Sequence, residues 1–261
     1  MKIYLKIFFI AFLSLLILNG CDEEAPNEPP ATDFPDYYPG GIGSVLKYSV
    51  TEIDSVGNIV QNGTRNIFYS GTTDFRGREY ITQEDSLDFG IQSSVNTFLF
   101  RKSETGVFYA VDTAQISLLI PDTLKQYVSL RDEMQLLFYP LTSGSSWSLY
   151  RVTADVQPGI SVRILDIIAT FEAAEQLDLN LNSEIISVNA QKIKYELEVF
   201  EDVSSEPLRY TAFMWFVKDI GLVKFQGNQF ILDFSGGVIS IDITENILSQ
   251  ELTEFYPAEN Q

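Results

Sequence analysis

The strongest constraint on this chain is an alternation of apolar and polar residues that runs from about residue 37 to 247. Lys194-Tyr195-Glu196-Leu197-Glu198-Val199 shows it most cleanly, with Tyr195, Leu197 and Val199 on one face and the charged residues on the other. Successive side chains of a strand point to opposite sides, so a period of two reads as a half-buried strand. Val, Ile, Tyr, Phe and Thr dominate the region and turn residues recur at short intervals. Strands are expected at 46–53, 65–70, 78–83, 95–102, 107–112, 146–156, 160–171, 185–200, 208–218, 221–225 and 229–243. Val56-Gly57-Asn58-Ile59 reads as a tight hairpin, with Asn62-Gly63 as a competing turn.

Two segments depart from this pattern. Residues 210–217, YTAFMWFV, are apolar on both faces, so both must be covered, by a helix or by a ligand cavity. Tyr210, Met214 and Phe216 lie on one side and form the candidate apolar ligand surface. Residues 122–136, DTLKQYVSLRDEMQL, are the best helix candidate, with Leu124, Tyr127, Val128 and Met134 as a partial stripe. Residues 172–177 suit a short helical turn. The expected fold class is mainly β and antiparallel, a curved half-barrel or a two-sheet sandwich with one or two short helices. A single domain over 37–247 suits all-β architecture, with 248–261 as a C-terminal tail.

One motif occurs twice. Tyr37-Tyr38-Pro39-x-x-x-Gly43-Ser44 returns as Phe138-Tyr139-Pro140-x-x-x-Gly144-Ser145, 101 residues later. Each copy opens onto a strand, so a two-part repeat over 37–136 and 137–247 is expected.

The N-terminal region follows different rules. Lys2 and Lys6 precede a twelve-residue stretch, 7–18, that is apolar but for Ser14, which is signal-peptide length and short for a membrane span. Leu18-Asn19-Gly20-Cys21 follows, and Cys21 is the chain's only cysteine. This arrangement resembles the lipobox of bacterial lipoproteins. The resemblance implies that 1–20 are removed as a signal peptide and that lipid, palmitate included, is attached to Cys21. Residues 21–36 then form the lipidated cysteine and its tether. Four prolines and six acids among residues 22–36 cannot build a core, so they read as a stiff, solvated spacer. Acidic residues just after the cysteine, here Asp22, Glu23 and Glu24, resemble a surface-export signal of Bacteroidota and an inner-membrane retention signal of enterobacteria. The expected location is the cell envelope, most of all the outer membrane, facing the periplasm or the cell surface.

Composition narrows the chemistry. A lone cysteine makes no internal disulfide, so stability must come from the core. With no histidine, a Ser-His-Asp triad and a His-ligated zinc site are both excluded. Loss of residues 1–20 leaves 15 Lys+Arg against 36 Asp+Glu, a net of −21, which repels nucleic acid and anionic lipid. Membrane attachment must then come through covalent lipid. No cofactor or metal is expected, and no catalytic residue is assigned. Asp178-x-Asn180-x-Asn182-x-Glu184 has the donor types of a calcium loop, but Ser183 stands where such a loop needs glycine. Glu196 and Glu198 are close enough to be paired carboxylates, yet the alternation puts them on a solvated face. Four Asp-Ser/Thr-aliphatic tripeptides, at Asp54, Asp85, Asp112 and Asp122, resemble the Bacteroidota O-glycosylation signal.

Tyr139-Pro140-Leu141-x-x-Gly144-x-x-Trp147 and Ile220-Gly221-Leu222-Val223-Lys224 together resemble elements of uncharacterised Bacteroidota-type lipoproteins. Some of these are similar to the half-barrels of periplasmic lipoprotein carriers. The resemblance implies a lipid-anchored envelope protein with a binding or structural role. The partner expected beside the membrane is a hydrophobic ligand, a glycan or an envelope protein. The alternatives are a carrier holding an acyl ligand on a concave sheet face and a carbohydrate-active hydrolase.

Overall fold

In the computed structural model the described residues are 35–90, 92–118, 120–200, 206–229, 231 and 246–258. The leader, the lipobox residues Leu18, Asn19 and Gly20, Cys21 and most of the tether lie outside them, as does most of the strand expected at 229–243. Pro35–Gln261 forms one compact unit. Its strands are β1 (Val45–Ile53), β2 (Ile59–Phe75), β3 (Arg78–Asp88), β4 (Ser93–Ser103), β5 (Gly106–Ala110), β6 (Glu133–Phe138), β7 (Ser146–Gln157), β8 (Ile160–Leu181), β9 (Glu184–Val199), β10 (Leu208–Val217), β11 (Gly221–Asn228) and β12 (Ile247–Tyr256). The helices are α1 (Thr113–Leu118) and α2 (Asp122–Lys125).

All twelve strands belong to one antiparallel sheet in the order β6-β5-β4-β3-β2-β1-β12-β11-β10-β9-β8-β7, curled into a nearly closed barrel. Paired strands are consecutive in the chain everywhere except at β1–β12, where strands from the two ends of the unit pair over Val45↔Tyr256 to Ile53↔Ile247. Residues 248–256, read from the sequence as tail, therefore sit in the middle of the sheet. Leu248, Gln250 and Leu252 are buried, which is the same period-two signal seen elsewhere.

The helix expected at 122–136 shrinks to the four residues of α2, and Glu133–Phe138 is strand. A helix this short has little stability of its own. Met134 and Leu136 instead enter the core at strand spacing, and β6 pairs with β5. Residues 172–177 likewise stay in β8, paired with β9 through Glu175↔Ala190. The hairpin at Val56–Ile59 forms as read. Asp54 closes it by accepting from the amides of Val56 (3.0 Å) and Asn58 (2.8 Å). Asn62-Gly63 lies within β2.

The two copies of the Tyr-Pro motif do the same work. The Gly43 amide donates to Tyr69 O (2.8 Å) and the Tyr69 amide to Ser44 O (3.2 Å). In the second copy the Gly144 amide donates to Phe171 O and the Phe171 amide to Ser145 O, both at 2.9 Å. Gly43 (φ 97°) and Gly144 (φ 79°) both occupy the left-handed region that favours glycine. Just beyond these contacts β2 and β8 each carry a register shift, at Tyr69/Gly71 and Phe171/Ala173. Bulges of this kind bend a strand.

Past its bulge, the β8–β9 hairpin lies over the outer face of the sheet. Its turn residues Asn182 and Ser183 (φ 52° and 69°) have the positive φ of a two-residue type I′ turn. The Asn182 amide donates to Thr253 O at 2.8 Å, and its side-chain Oδ1 accepts from the Phe255 amide at 3.0 Å. Trp215 Nε1–H donates to Glu175. This explains the doubly apolar 210–217: Met214 and Phe216 face the core, and Trp215 lies under the hairpin. The cover is a hairpin, where a helix or a ligand cavity was expected.

The β2–β3 hairpin reaches β6 in a corresponding way, through Arg76–Asp132 (3.1 Å) and a cluster on Glu133. Glu133 accepts from Arg101 Nε and Tyr80 OH, both at 2.5 Å, from Arg101 Nη2 at 2.9 Å and from Arg78. Burial opposes its charge, but the hydrogen bonds from Arg101 and Tyr80 and the charges of Arg101 and Arg78 outweigh it. The carboxyl is held down to about 2, against an ordinary value of 4.5. A folded-state value below the unfolded one stabilises above pH 4.5 and is lost as pH falls toward 2. Urea midpoints at pH 7 and about pH 3 should therefore converge more for Glu133→Gln than for the parent chain. Equal acid losses in the two would show that Glu133 does not carry this linkage.

The seam between β6 and β7 has no continuous ladder. Side chains close it instead. Trp147 Nε1–H donates to Gln135 O (3.0 Å), Tyr195 OH to Leu136 O (3.0 Å) and Tyr150 OH to Arg131 O (2.7 Å). An isolated bridge at Val128↔Ala154 adds one backbone contact.

Candidate functional site

Among the described residues, two recesses carry polar groups in their lining. The first is inside. β2, β3 and β12 present Arg65, Gln83, Asp85 and Gln250 at inward positions, all nine-tenths buried or more. Arg65 Nε donates to Asp85 Oδ1 (2.9 Å) and Oδ2 (3.0 Å), and Arg65 Nη1 to Gln250 Oε1 (3.1 Å). Gln83 Nε2 reaches Asp85 Oδ2 at 3.4 Å, and Gln83 Oε1 accepts from Tyr109 OH at 2.7 Å. Tyr38 closes the chain by contacting Tyr109 OH and Gln83 Oε1 (3.3 Å). Burial opposes the Arg65 charge, but the Asp85 carboxylate outweighs it and holds the guanidinium protonated beyond its ordinary value. Burial pushes the Tyr38 and Tyr109 hydroxyls above the usual tyrosine range. The recess beside Arg65 and Asp85, bounded by Ser94, Asn96 and Phe98, holds about 30 Å³. That is space for a water molecule or two, not for an organic ligand.

The second place is at the rim, where β10 begins, β11 ends and β12 begins. A pocket of about 570 Å³ lies there, with Leu208, Tyr210, Phe213 and Ile247 as its apolar lining and Arg209, Gln226 and Asn228 as polar groups. The size falls within the range of small-molecule sites, and so does the mixture of apolar lining with a few polar groups. Gly227 (φ 152°) shapes it. A Cβ there would stand 2.3 Å from Ala212 Cα, so only glycine lets β11 approach β10 this closely. Arg209 is exposed and its Nε donates to Glu198 Oε1 at 3.0 Å.

The structure separates the three residues of the candidate apolar surface. Tyr210 lines the rim pocket, whereas Met214 (1% exposed) and Phe216 (0%) are packed in the core. Phe216 lies 6.3 Å from the Tyr38 ring. Glu196 and Glu198 face outward as read, and both are ion-paired, to Lys194 (2.8 Å) and to Arg209 and Arg163 (3.6 Å). The calcium-like run is the end of β8, with Asp178 and Asn180 exposed between buried Leu179 and Leu181, and with Asn182 committed to β12. Among the described residues, no group of three or more His, Cys, Asp or Glu could hold a metal ion. Of the four Asp-Ser/Thr tripeptides, Ser55 is exposed in the β1–β2 turn, while Asp85 is buried in the interior network.

Sequence reading missed the interior network. Its signal was present: Arg65 shares parity with Ile67 and Tyr69, and Gln250 with Leu248 and Leu252. A polar residue at an inward position of an alternating strand marks a partnered group inside.

Fold and pocket together define a barrel-like, strand-built protein with one apolar rim site among the described residues. No family model matches the chain, and no curated protein matches it. Among solved structures it is similar to a candidate lipoprotein from Parabacteroides distasonis ATCC 8503, at 11% identity and TM-score 0.47, over 86% of this chain and 100% of that one. It is also similar to a candidate exported protein with a YmcC-like fold from Bacteroides fragilis NCTC 9343, at 11% identity and TM-score 0.46, over 84% and 98%. The hypothetical lipoprotein YmcC from Escherichia coli (K12) follows at 10% identity and TM-score 0.32, over 83% and 85%.

Proposed function

We propose that this chain is a lipid-anchored cell-envelope protein that binds an apolar, acyl-type ligand at the barrel rim and performs no catalysis. The observation that carries the anchor is Leu18-Asn19-Gly20-Cys21 at the end of the largely apolar stretch 7–18, in a sequence with no other cysteine. The acidic spacer supports it, since a net-negative body needs covalent lipid to stay at a membrane. The ligand reading draws on the 570 Å³ pocket and its apolar lining of Leu208, Tyr210, Phe213 and Ile247.

One experiment addresses both parts. Cys21→Ser should move the protein from the membrane to the soluble fraction, and continued membrane retention refutes the anchor. The released protein should then bind cis-parinaric acid, and adding Tyr210→Asp should weaken that binding about tenfold or more, through a charge set in the apolar lining. Equal affinity with and without Tyr210→Asp removes the rim pocket as the site.

A further inference from the structure

Residues 35–44 form no strand, yet they run into the barrel. Asp36 O accepts from the Asp219 amide (2.8 Å), and Asp36 Oδ2 pairs with Lys102 Nζ (2.7 Å). Two residues on, Tyr38 is 6% exposed. Its ring meets Phe100 edge-on at 5.1 Å, Tyr109 edge-on at 6.1 Å and Phe216 at 6.3 Å. Its hydroxyl ends on Tyr109 and Gln83. The surroundings are a slot for an aromatic ring, with hydrogen-bonding groups where the ring's far end arrives. Edge-on contacts at this spacing suit aromatic pairs. Gly40 passes so close to Phe100 that a Cβ there would stand 2.5 Å from its Cζ.

The twin of this segment is built in differently. Residues 138–145 make the matching glycine and serine hydrogen bonds, but β6 holds them on one side and β7 on the other. Residues 35–44 are continuous with strand only at β1. Upstream they pass into the proline-rich residues 22–34, whose composition gives no core-forming segment. Before Gly43 they make no strand pairing: their hold rests on the Asp36 contacts, on the rings of Tyr37 (6.5 Å from Tyr139) and Tyr38, and on Gly40 against Phe100.

We propose that residues 35–44 are a detachable strap and that Tyr38 is the resident occupant of a binding slot for a hydroxyl-bearing aromatic ring, formed by Phe100, Tyr109, Phe216 and Gln83. When the strap leaves, the slot takes a phenol-type group from another molecule in place of Tyr38. The strap is thus an autoinhibitory contact in cis. This inference does not depend on lipid at Cys21 or on a ligand in the rim pocket.

Hydrogen exchange on the unmodified chain tests detachment. The Gly43 and Gly144 amides make equivalent hydrogen bonds, so local opening of the strap predicts exchange at Gly43 about tenfold or more faster than at Gly144. Equal rates, or a faster Gly144, overturn the strap. The slot is tested with Tyr38→Ala and p-cresol as the probe. At millimolar p-cresol the Tm of this variant should rise by about 3 °C or more, and toluene, which lacks the hydroxyl, should raise it less. A folded Tyr38→Ala that ignores p-cresol, or responds equally to toluene, overturns the slot. Should Tyr38→Ala fail to fold, the exchange comparison decides alone.

Discussion

Asp85→Ala is expected to lower the stability of the barrel by about 3–5 kcal/mol, because it leaves the Arg65 guanidinium charged and unpaired in the interior. Arg65 donates to Asp85 from both Nε and Nη2, and from Nη1 to Gln250 at 3.1 Å. Arg65 is 7% exposed and Asp85 5%, so solvent offers little substitute. Removing both charges should behave differently. In Arg65→Met/Asp85→Leu no ion is left stranded, and apolar replacement of a buried pair is often neutral or stabilising. The double variant should therefore recover most of the loss seen in Asp85→Ala. Urea denaturation of the three proteins measures this. A loss below about 1 kcal/mol in Asp85→Ala would mean that water reaches Arg65 and that the pair is not truly interior.

Phe100→Ala should cost a similar amount, about 3–5 kcal/mol, by the separate route of cavity formation. Its ring is fully buried and touches three others: Tyr38 at 5.1 Å, Tyr69 at 5.3 Å and Tyr109 stacked at 5.6 Å. Two of these rings, Tyr69 and Tyr109, sit on β2 and β5, strands fixed by their own pairings, so they cannot close in to fill the space. Val95 lies on the same strand but is 76% exposed, and Val95→Ala should change stability by no more than about 0.5 kcal/mol. Comparable urea midpoints for the two variants would contradict the packing described for Phe100.

Fold class was legible because it rests on parity, which is local. Lys194–Val199 and 46–53 announced their buried faces without knowledge of their neighbours. The helix at 122–136 was misread because its apolar residues fit a stripe until β5 is known to lie alongside Glu133–Phe138. Residues 248–256 were misread as tail because they follow a stretch of chain with no clear pattern, although Leu248, Gln250 and Leu252 alternate. The double cover of 210–217 was legible, but not the identity of the cover. That depends on the bulge after Phe171, which no residue type signals. At the rim, Tyr210 was found for its parity with Met214 and Phe216. Only the register Ala212↔Gly227 shows that this strand face runs from packed core to open pocket along its length.

The pairing of β1 with β12 has a consequence for biosynthesis. Ten strands and some two hundred residues separate these partners, so their contact is the one of longest sequence separation in the sheet. Loop closure over such a span is slow relative to the neighbouring hairpins. A chain made from its N-terminus can form each hairpin as it appears. It cannot join its first strand to anything but β2 until Ile247–Tyr256 has been made. Until then β1 carries an unpaired edge with Leu46, Tyr48 and Val50 on its apolar face, a surface prone to aggregation. Strand β12 thus determines when the protein becomes safe from its own neighbours, and deleting it should expose the edge of β1 as well as remove Ile247 from the rim pocket.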